Sequence, residues 1–565
     1  MILTLWICFL CDNVIVDANV RMPLIFGDHM VLQQDAKLTI WGWADPKEKV
    51  TVSFAGKKEK TTTAEDGSWQ VNLKPIMNKS KGEILTIKGN NTLIFQDVLV
   101  GDIWVASGQS NMEWGIKNKA YAKDVANSRD SLLRLFFVPK NTSLKPLSDI
   151  QISEDVANPD WAAKWVLCTP EALSKINGQG FSSTAYYFAR DIRQATGQPL
   201  GIIQSAWGGT RAEAWTSLSG LGKRSELAKY IVAYEKNVKD TPDIVPHYKQ
   251  KKAEWDIAVK EWNETIGREW NQAQKDWIVA VKNAQATGQP VPPKPKPSSP
   301  RPSEPNKPNG GNNGPANLFN AMISPLIPFV IKGVIWYQGE FNSGGSAKEY
   351  ATLFPTMISD WRAHWKIGDF PFVFVQLPNY GPQDNDPNAS GESWHWVREA
   401  QLKALDLPNT AMAVTIDVGD PFDLHPIDKY DVGHRLALAA REAIYGEKII
   451  GNSPVYESMM IENNRIVLTF KHVGSGLTIG TSPFVPEGEQ PKASVDKLAG
   501  FAIAGNDRKF VWADAVIESN KVIVSSDRIW NPVAVRYAFS NSPACNLYSI
   551  EGLPASPFKT DDWSQ

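Results

Sequence analysis

Apolar and polar positions in the middle of the chain follow two alternating patterns. Continuous apolar runs typical of buried strands end in polar loops, and stretches with helical periodicity separate one run from the next. The predicted strands lie at residues 102–107, 199–207, 328–337, 370–377 and 411–417, and the predicted helices at residues 181–192, 347–365 and 396–405. This alternation predicts an α/β core with a parallel sheet and with functional loops at the carboxyl ends of its strands.

Both ends of the chain show the period-two alternation of half-buried strands. Strands such as Leu38–Trp43 and 50–54, separated by turn dipeptides, predict a small β-sandwich at residues 19–95. This module either braces the core or binds glycans, and no polar cluster in it demands a ligand. Similar short strands predict a second, sandwich-like β domain at residues 451–565, packed on a hydrolase core at residues 96–450.

An insertion at about residues 222–315 interrupts the core. Its first part has helical periodicity and carries four tryptophans spaced by 7, 8 and 7 residues: Trp255, Trp262, Trp270 and Trp277. This spacing places the indoles on one helical face, where packing is the expected role. Proline-rich residues 290–297 and glycine-rich residues 309–314 follow, and their composition predicts an extended, mobile tether. A lid over the site is an alternative role for the insertion.

The amino terminus resembles a secretory signal. Residues 2–10 are apolar, and a small residue at Ala18 follows at a plausible cleavage position, so residues 1–18 predict export to a secreted or periplasmic location. The segment contains no Lys or Arg, and a misassigned start codon is the alternative explanation. No later run approaches the length of about 20 apolar residues that spans a bilayer, so no membrane span is predicted.

Charge and cysteine content exclude several classes of function. Lys and Arg number 59 against 61 Asp and Glu, and this balance gives no electrostatic footprint for nucleic acid or an anionic membrane. Cys8 and Cys11 lie in the predicted signal. The remaining Cys168 and Cys545 are too few for a disulfide framework and lack zinc-site spacing.

A candidate nucleophile lies where the first core strand ends. Gly108 precedes Ser110 by two residues, and a glycine there permits a sharp turn that presents the hydroxyl at the strand end. The amides of Ser110 and Asn111 would then point toward a developing oxyanion. The alternative is an ordinary strand-to-helix connection with Ser110 as the helix N-cap.

Of seven histidines, His425 has the setting of a general base. It lies in a loop after a predicted strand, and Asp423 two residues earlier would share its side in extended backbone and orient its Nδ1. Asp420 and the more distant Glu340 are competing partners. The alternative is a loop histidine that only caps the next helix.

Donors for the oxyanion are available in the loops that follow other strands. The N–H groups of Ser110 and Gly209 and the side-chain amide of Asn342 are the candidates. An α/β-hydrolase elbow is disfavoured, because it requires glycine two residues after the serine, where this chain has Met112.

Four ordered motifs together resemble the sialate O-acetylesterase family within the SGNH (GDSL-like) hydrolases. They are Gly-Gln-Ser-Asn-Met, Trp-Gly-Gly-Thr-Arg-Ala-Glu-Ala-Trp, Trp-Tyr-Gln-Gly-Glu-Phe-Asn and Gly-Asp-Pro-Phe-Asp-Leu-His-Pro. The resemblance spans almost the whole mature chain. It implies a flavodoxin-like SGNH domain and serine esterase chemistry, without metal or cofactor, that removes acetyl groups from sugar hydroxyls.

The resemblance also implies roles for individual residues. The matching positions are Ser110 as nucleophile, Gly208 or Gly209 and Asn342 as oxyanion donors, and His425 as base. The superfamily often places its acid three residues before the histidine, where this chain has Phe422, so Asp423 ranks first and Asp420 or Glu340 are alternatives.

Three further residues resemble positions that face a substrate: Gln338, Arg398 and Gln401. Arginine would suit a sialic acid carboxylate through a bidentate pair, and a solvated helix face is the alternative for Arg398 and Gln401. The predicted activity is hydrolysis of O-acetyl esters of sialic acid, of the 9-O-acetyl type. Acetylated xylan or another acetylated glycan is the alternative substrate, and a non-catalytic glycan-binding protein is the alternative class.

Overall fold

The computed structural model describes residues 19–152, 156, 158–287, 289–290, 292–381, 383–384, 386–388, 394–480 and 496–563, so the predicted signal at residues 1–18 lies outside the described part. The strands are β1 (Val31–Gln33), β2 (Leu38–Trp43), β3 (Lys49–Phe54), β4 (Lys57–Thr62), β5 (Ser68–Leu73), β6 (Lys79–Lys88), β7 (Thr92–Gly108), β8 (Asp130–Phe137), β9 (Trp165–Cys168), β10 (Leu200–Ala206), β11 (Gly333–Tyr337), β12 (Phe372–Gln376), β13 (Thr410–Val414), β14 (Val455–Glu462), β15 (Arg465–Lys471), β16 (Leu477–Ile479), β17 (Phe501–Ala504), β18 (Phe510–Trp512), β19 (Asp514–Glu518), β20 (Lys521–Ser525), β21 (Ala534–Tyr537), β22 (Leu547–Ser549) and β23 (Phe558–Lys559). The α-helices are α1 (Ser110–Glu113), α2 (Ala122–Ala126), α3 (Pro170–Lys175), α4 (Ser183–Thr196), α5 (Leu218–Leu221), α6 (Ala228–Glu264), α7 (Ile266–Thr287), α8 (Tyr350–Trp365), α9 (Trp394–Lys403) and α10 (Lys429–Ala443).

The core is built on a mostly parallel sheet with strand order β13-β12-β11-β7-β10-β8-β9. Every neighbouring pair in this order is parallel except β8 and β9. All residues of β10, β11 and β12 are buried, as expected for strands covered on both faces. The prediction of an α/β core with a parallel sheet is therefore confirmed.

Strand β7 connects the amino-terminal strands to the core sheet. It is 17 residues long, pairs with β6 and β1 along its first part, and pairs with β10 and β11 along its second part. The predicted boundary at residues 95/96 lies within this strand. The chain therefore passes from the amino-terminal strands into the core without a linker.

Three core strands end level with one another at their carboxyl ends. In the sheet register Gly108 of β7 lies opposite both Ala206 of β10 and Tyr337 of β11. Gly108 has φ of 138°, and a Cβ there would lie 2.1 Å from the Tyr337 carbonyl oxygen, so only glycine fits. The loops that start at residues 109, 207 and 338 consequently leave the sheet side by side.

The carboxyl-terminal strands form three small sheets: β14-β15-β20-β19, β18-β17-β21-β23 and β16-β22. Their inner faces share an apolar core that includes Ile466, Phe501 and Tyr537. The Tyr548 hydroxyl donates to Asp417 Oδ2 in the loop after β13 at 3.0 Å. The carboxyl-terminal strands therefore bind directly to the loop region of the core.

The insertion forms two long helices, α6 and α7, and its proline-rich segment lies against them. Each tryptophan of the stripe donates its indole N–H to a backbone carbonyl of that segment: Trp255 to Pro302, Trp262 to Ser299, Trp270 to Pro295 and Trp277 to Pro292. Steps of 7 to 8 residues along a helix cover about 11 Å, and the matching steps of 3 to 4 residues cover about the same length in extended polyproline geometry. The predicted packing role of the stripe is therefore confirmed, and its partner is the proline-rich segment for which the composition predicted an extended, mobile tether. No helix in the described part combines the length and apolarity needed to cross a membrane.

Candidate active site

Ser110 lies at the carboxyl edge of the sheet, where three loops meet. It opens helix α1 directly after β7. In the loop after β10, a Cβ built on Gly208 would lie 3.1 Å from Ser110 Cβ, and the Ser110 N–H has no hydrogen-bond partner among the described residues. The structure therefore presents Ser110 beside the glycine turn, with its own amide free.

The structure brings His425 to Ser110 from the loop before α10. His425 Nε2 lies 2.9 Å from Ser110 Oγ, and the imidazole stacks on Trp114 with ring centroids 5.0 Å apart. Burial lowers the pKa of His425 below its ordinary value of 6.5, although the Asp423 carboxylate opposes this shift. The imidazole is therefore neutral near pH 7 and able to accept the serine proton.

Asp423 is the carboxylate nearest to the other ring nitrogen. Its Oδ1 lies 3.6 Å from His425 Nδ1 and accepts the backbone N–H of His425 at 2.8 Å, and the carboxylate is 60% exposed. The 3.6 Å distance is longer than a hydrogen bond. Asp420 Oδ1 instead accepts the backbone N–H groups of Phe422 and Asp423, so it shapes the turn of this loop.

Glu340 is buried beneath the site. Asn111 Nδ2 donates to Glu340 Oε1 at 2.6 Å, while Glu340 Oε2 has no partner among the described residues, and burial raises the pKa of this carboxyl. No hydrogen bond or ion pair joins it to His425 within the described ranges. Glu340 therefore contacts the segment of Ser110 and not His425.

A buried lysine connects these loops, and the sequence analysis missed it. Lys429 Nζ donates to Asn111 Oδ1 at 2.7 Å and to the Pro426 carbonyl at 2.6 Å. Burial lowers the pKa of Lys429 to about 7, and Glu340 partly offsets this effect. Asn111 Nδ2 also lies 3.1 Å from the Leu424 carbonyl. The available signal was proximity in sequence, since Lys429 follows His425 by four residues and opens helix α10.

The predicted oxyanion donors have different surroundings. The Gly209 N–H has no hydrogen-bond partner in the part of the chain that the structure describes. The Gly208 N–H donates to Glu113 Oε2 at 2.6 Å, and Glu113 also pairs with Lys140. Asn342 is fully buried, and its amide nitrogen donates to Glu213 Oε2 at 3.0 Å. Among the described residues, the backbone N–H groups of Ser110, Asn111 and Gly209 therefore have no hydrogen-bond partner, whereas that of Gly208 is occupied by Glu113.

The structure does not bring Arg398 to the site. Its guanidinium is fully buried and donates to four backbone carbonyls: those of Leu377, Pro378, Ser540 and Asn541. Neither a substrate-facing position nor a solvated helix face describes this residue. It joins the loop after β12 to the carboxyl-terminal region, and burial lowers the pKa of its guanidinium to about 9.

Gln338 and Gln401 are also fully buried. Gln338 Nε2 donates to the Thr210 carbonyl at 3.1 Å and to Asn342 Oδ1 at 2.7 Å. Gln401 Nε2 donates to the Gln338 carbonyl at 3.1 Å. Both glutamines hold the loops from below and lie out of reach of a substrate.

Within the described ranges, no group of three or more His, Cys, Asp or Glu side chains is arranged to hold a metal ion.

The insertion contacts the loop of His425 and the glycine turn after β10. The Trp277 ring meets Phe422, in the loop of His425, edge to face with centroids 5.8 Å apart. Asn313 Nδ2 donates to the Gly209 carbonyl at 3.0 Å, and Asn313 Oδ1 accepts the Arg211 N–H at 3.0 Å. The insertion therefore supports the base loop at one end and the glycine turn at the other.

Known proteins resemble the chain over nearly its whole length. The family model described as carbohydrate esterase, sialic acid-specific acetylesterase matches residues 312–442. Sialate O-acetylesterase from Mus musculus is 26% identical over 95% of this chain and 94% of its own, and that from Rattus norvegicus is 28% identical over the same shares. The crystal structure of a carbohydrate acetylesterase from Xanthomonas citri has 33% identity and a TM-score of 0.71, covering 96% of this chain and 100% of its own.

These similarities agree with the geometry around Ser110. The structural neighbour covers 96% of this chain at 33% identity, which indicates common descent. The matched family region begins at residue 312, next to Asn313, which bonds to the glycine turn, and it includes Glu340 and His425. The chain belongs to the sialate O-acetylesterase family of carbohydrate esterases.

Proposed function

We propose that this protein is a serine carbohydrate esterase that hydrolyses O-acetyl esters of sialic acid, of the 9-O-acetyl type, to the free hydroxyl and acetate. The observation that carries the proposal is the 2.9 Å contact between His425 Nε2 and Ser110 Oγ, in a chain whose mammalian relatives are sialate O-acetylesterases. The solved relative named as a carbohydrate acetylesterase supports the same chemistry on acetylated sugars.

The reaction proceeds in two steps. Ser110 Oγ attacks the acetyl carbonyl while His425 takes its proton, and the protonated imidazole then protonates the departing sugar oxygen. Water activated by the same imidazole attacks the acetyl-enzyme, acetate leaves and Ser110 is restored. The unoccupied amides of Ser110 and Gly209 are the donors to the oxyanion in both steps, and each lost donor costs about 100- to 1,000-fold in rate.

We assign the core to the flavodoxin-like SGNH class, with the core at residues 96–450 between amino- and carboxyl-terminal sandwich-like domains. The parallel strand order and the three loops that converge on Ser110 support this assignment. We also propose that residues 1–18 are a signal peptide and that the mature chain works outside the cytoplasm. The apolar run at residues 2–10 supports this proposal.

Asp423 has a modest role in this scheme, and the pH profile tests it. Since His425 acts as the neutral base and its pKa lies below 6.5, kcat/KM should fall only as the pH drops below that pKa. Asp423→Asn removes a carboxylate that raises the pKa, so the acid limb should move to lower pH. Because the Asp423 carboxylate is exposed and lies 3.6 Å from His425 Nδ1, we expect kcat/KM to fall by about tenfold at pH 8. Replacement of a closely bonded triad aspartate costs about 10,000-fold.

Profiles of kcat/KM from pH 4 to 9 on an aryl acetate measure both effects, with Asp420→Asn as the matched control from the same loop. A loss of about 10,000-fold in Asp423→Asn, or an acid limb that moves to higher pH, would contradict the modest role.

Acetylated xylan is the second candidate substrate, because the solved relative is named only as a carbohydrate acetylesterase. A comparison of kcat/KM on acetylated xylan and on 9-O-acetylated sialic acid decides between the two. Preference for xylan would move the function to polysaccharide deacetylation with the same residues. Sugar binding without acetate release would favour a non-catalytic glycan-binding protein.

A further inference from the structure

Arg211 lies two residues after Gly209, in the loop that follows β10. Its side chain is 34% exposed, in contrast to the fully buried Arg398. Because Gly208 lies against Ser110, the third residue after it lies within about 11 Å of Gly208 by chain length alone. Arg211 is thus a partly exposed cation near the nucleophile.

The guanidinium of Arg211 lies over the ring of Phe341, 5.0 Å from its centroid. Phe341 is 42% exposed, and its backbone N–H donates to Gln109 Oε1 at 3.2 Å, in the segment that carries Ser110. The stacked pair therefore joins the loop of the glycine turn to the loop after β11, which is itself bonded to the segment that carries Ser110.

The charge of Arg211 is weakly neutralised. Its nearest carboxylate is Glu213, at 3.9 Å, which is buried and already accepts the amide of Asn342. Burial raises the pKa of Glu213, which weakens its charge further. No hydrogen bond of the Arg211 guanidinium is found among the described residues. By contrast, Lys140, which lies over the ring of Trp207, pairs with Glu113.

The backbone of Arg211 is fixed from both sides. Its N–H donates to Asn313 Oδ1 at 3.0 Å, and the N–H of Ala212 donates to Asn342 Oδ1 at 3.0 Å. A fixed backbone and a stacked guanidinium lower the entropy lost when a ligand binds. The planar fork of an arginine also matches a carboxylate in two parallel hydrogen bonds.

We propose that Arg211 binds the substrate carboxylate and thereby selects sialic acid esters over neutral acetylated sugars. This inference rests on the proposed function. A sialic acid acetylated on its glycerol side chain carries the ester and the carboxylate at opposite ends. The ester carbonyl occupies the space between Ser110 and Gly209, and the carboxylate pairs with the guanidinium above Phe341.

The test compares three acetyl esters with and without the carboxylate: 9-O-acetylated sialic acid, its carboxamide analogue and 4-nitrophenyl acetate. Arg211→Met keeps an aliphatic stem on Phe341 and removes the charge. We expect it to raise KM for the sialic acid ester by about 10- to 100-fold, as for one lost charge-assisted pair. The rise in KM for the two substrates without a carboxylate should be at least tenfold smaller. Arg211→Lys, which keeps the charge without the fork, should be intermediate.

Arg465→Ala is the matched control, because Arg465 is 46% exposed and ion-paired to Glu462 in the carboxyl-terminal sheets. It should leave all three substrates unchanged. An unchanged KM for the sialic acid ester in Arg211→Met, or an equal loss on all three substrates, would overturn the role of Arg211 while leaving the proposed function intact. A wild-type enzyme that cleaves the aryl acetate but not the sialic acid ester would overturn both.

Discussion

Replacing Ser110 by alanine should lower kcat/KM for acetyl ester hydrolysis by about 10,000-fold or more, with the fold intact. Loss of a nucleophile removes the covalent step entirely, and only the oxyanion donors and substrate binding remain to accelerate the reaction. Among the described residues, the Ser110 hydroxyl forms one hydrogen bond, to His425 Nε2. Its removal therefore leaves only the imidazole without a partner. Initial rates on an aryl acetate measure the loss, and thermal unfolding checks the fold.

The effects of Ser110 and His425 should not add. In a unit of nucleophile and base, removing either member costs about as much as removing both. Ser110→Ala with His425→Ala should therefore be no slower than Ser110→Ala alone. Ser225→Ala, in a short turn before α6, is the matched serine control and should keep full activity. A Ser110→Ala enzyme within tenfold of wild type would contradict the assignment.

The second large effect concerns Lys429, through stability as well as rate. Lys429→Met removes the donor to Asn111 and to the Pro426 carbonyl, and leaves the Glu340 carboxyl without its buried counter-charge. Leaving a buried acceptor without its donor costs about 1 to 3 kcal/mol of the free energy of unfolding, and this replacement leaves two such acceptors, Asn111 Oδ1 and the Pro426 carbonyl. The loop of His425 also loses its anchor, so kcat should fall further than the loss of folded protein explains. Urea unfolding and kcat on folded protein measure the two effects.

A double replacement separates charge from packing at this site. Glu340→Gln combined with Lys429→Met removes both charges, and should be more stable than Lys429→Met alone, because no isolated carboxylate remains buried. Lys403→Met is the matched control, since Lys403 on α9 is 58% exposed and should change stability by less than about 0.5 kcal/mol. A Lys429→Met protein as stable as wild type would contradict the anchoring role.

Local patterns predicted the parts of the molecule that local sequence determines. The apolar runs gave the strands of the core sheet, because burial on both faces requires nearly continuous apolar sequence. Gly108 indicated the turn before Ser110, since its positive φ and its contact with Tyr337 leave no room for a side chain. The pairing of Ser110 with His425 followed from motifs that share one edge of the sheet.

Contacts between distant segments were beyond this reasoning. Arg398 was predicted to face a substrate, with a solvated helix face as the alternative, because its own helix does not reveal that residues 540 and 541 cover it. The tryptophan stripe was recognised, but its partner was not, because proline-rich sequence is also typical of mobile linkers. Lys429 was missed because a buried lysine is recognisable only when its partners, Asn111 and the Pro426 carbonyl, are known.

The central claim, that this esterase acts on acetylated sialic acid, is tested most directly by measuring acetate release from 9-O-acetylated sialic acid. Purified wild-type protein and Ser110→Ala are compared at equal concentration, with an aryl acetate as the check that the wild-type enzyme is active. We predict rapid acetate release by the wild-type enzyme and a loss of about 10,000-fold in Ser110→Ala. Aryl acetate hydrolysis by the wild type, with no acetate released from the sialic acid ester, would contradict the claim.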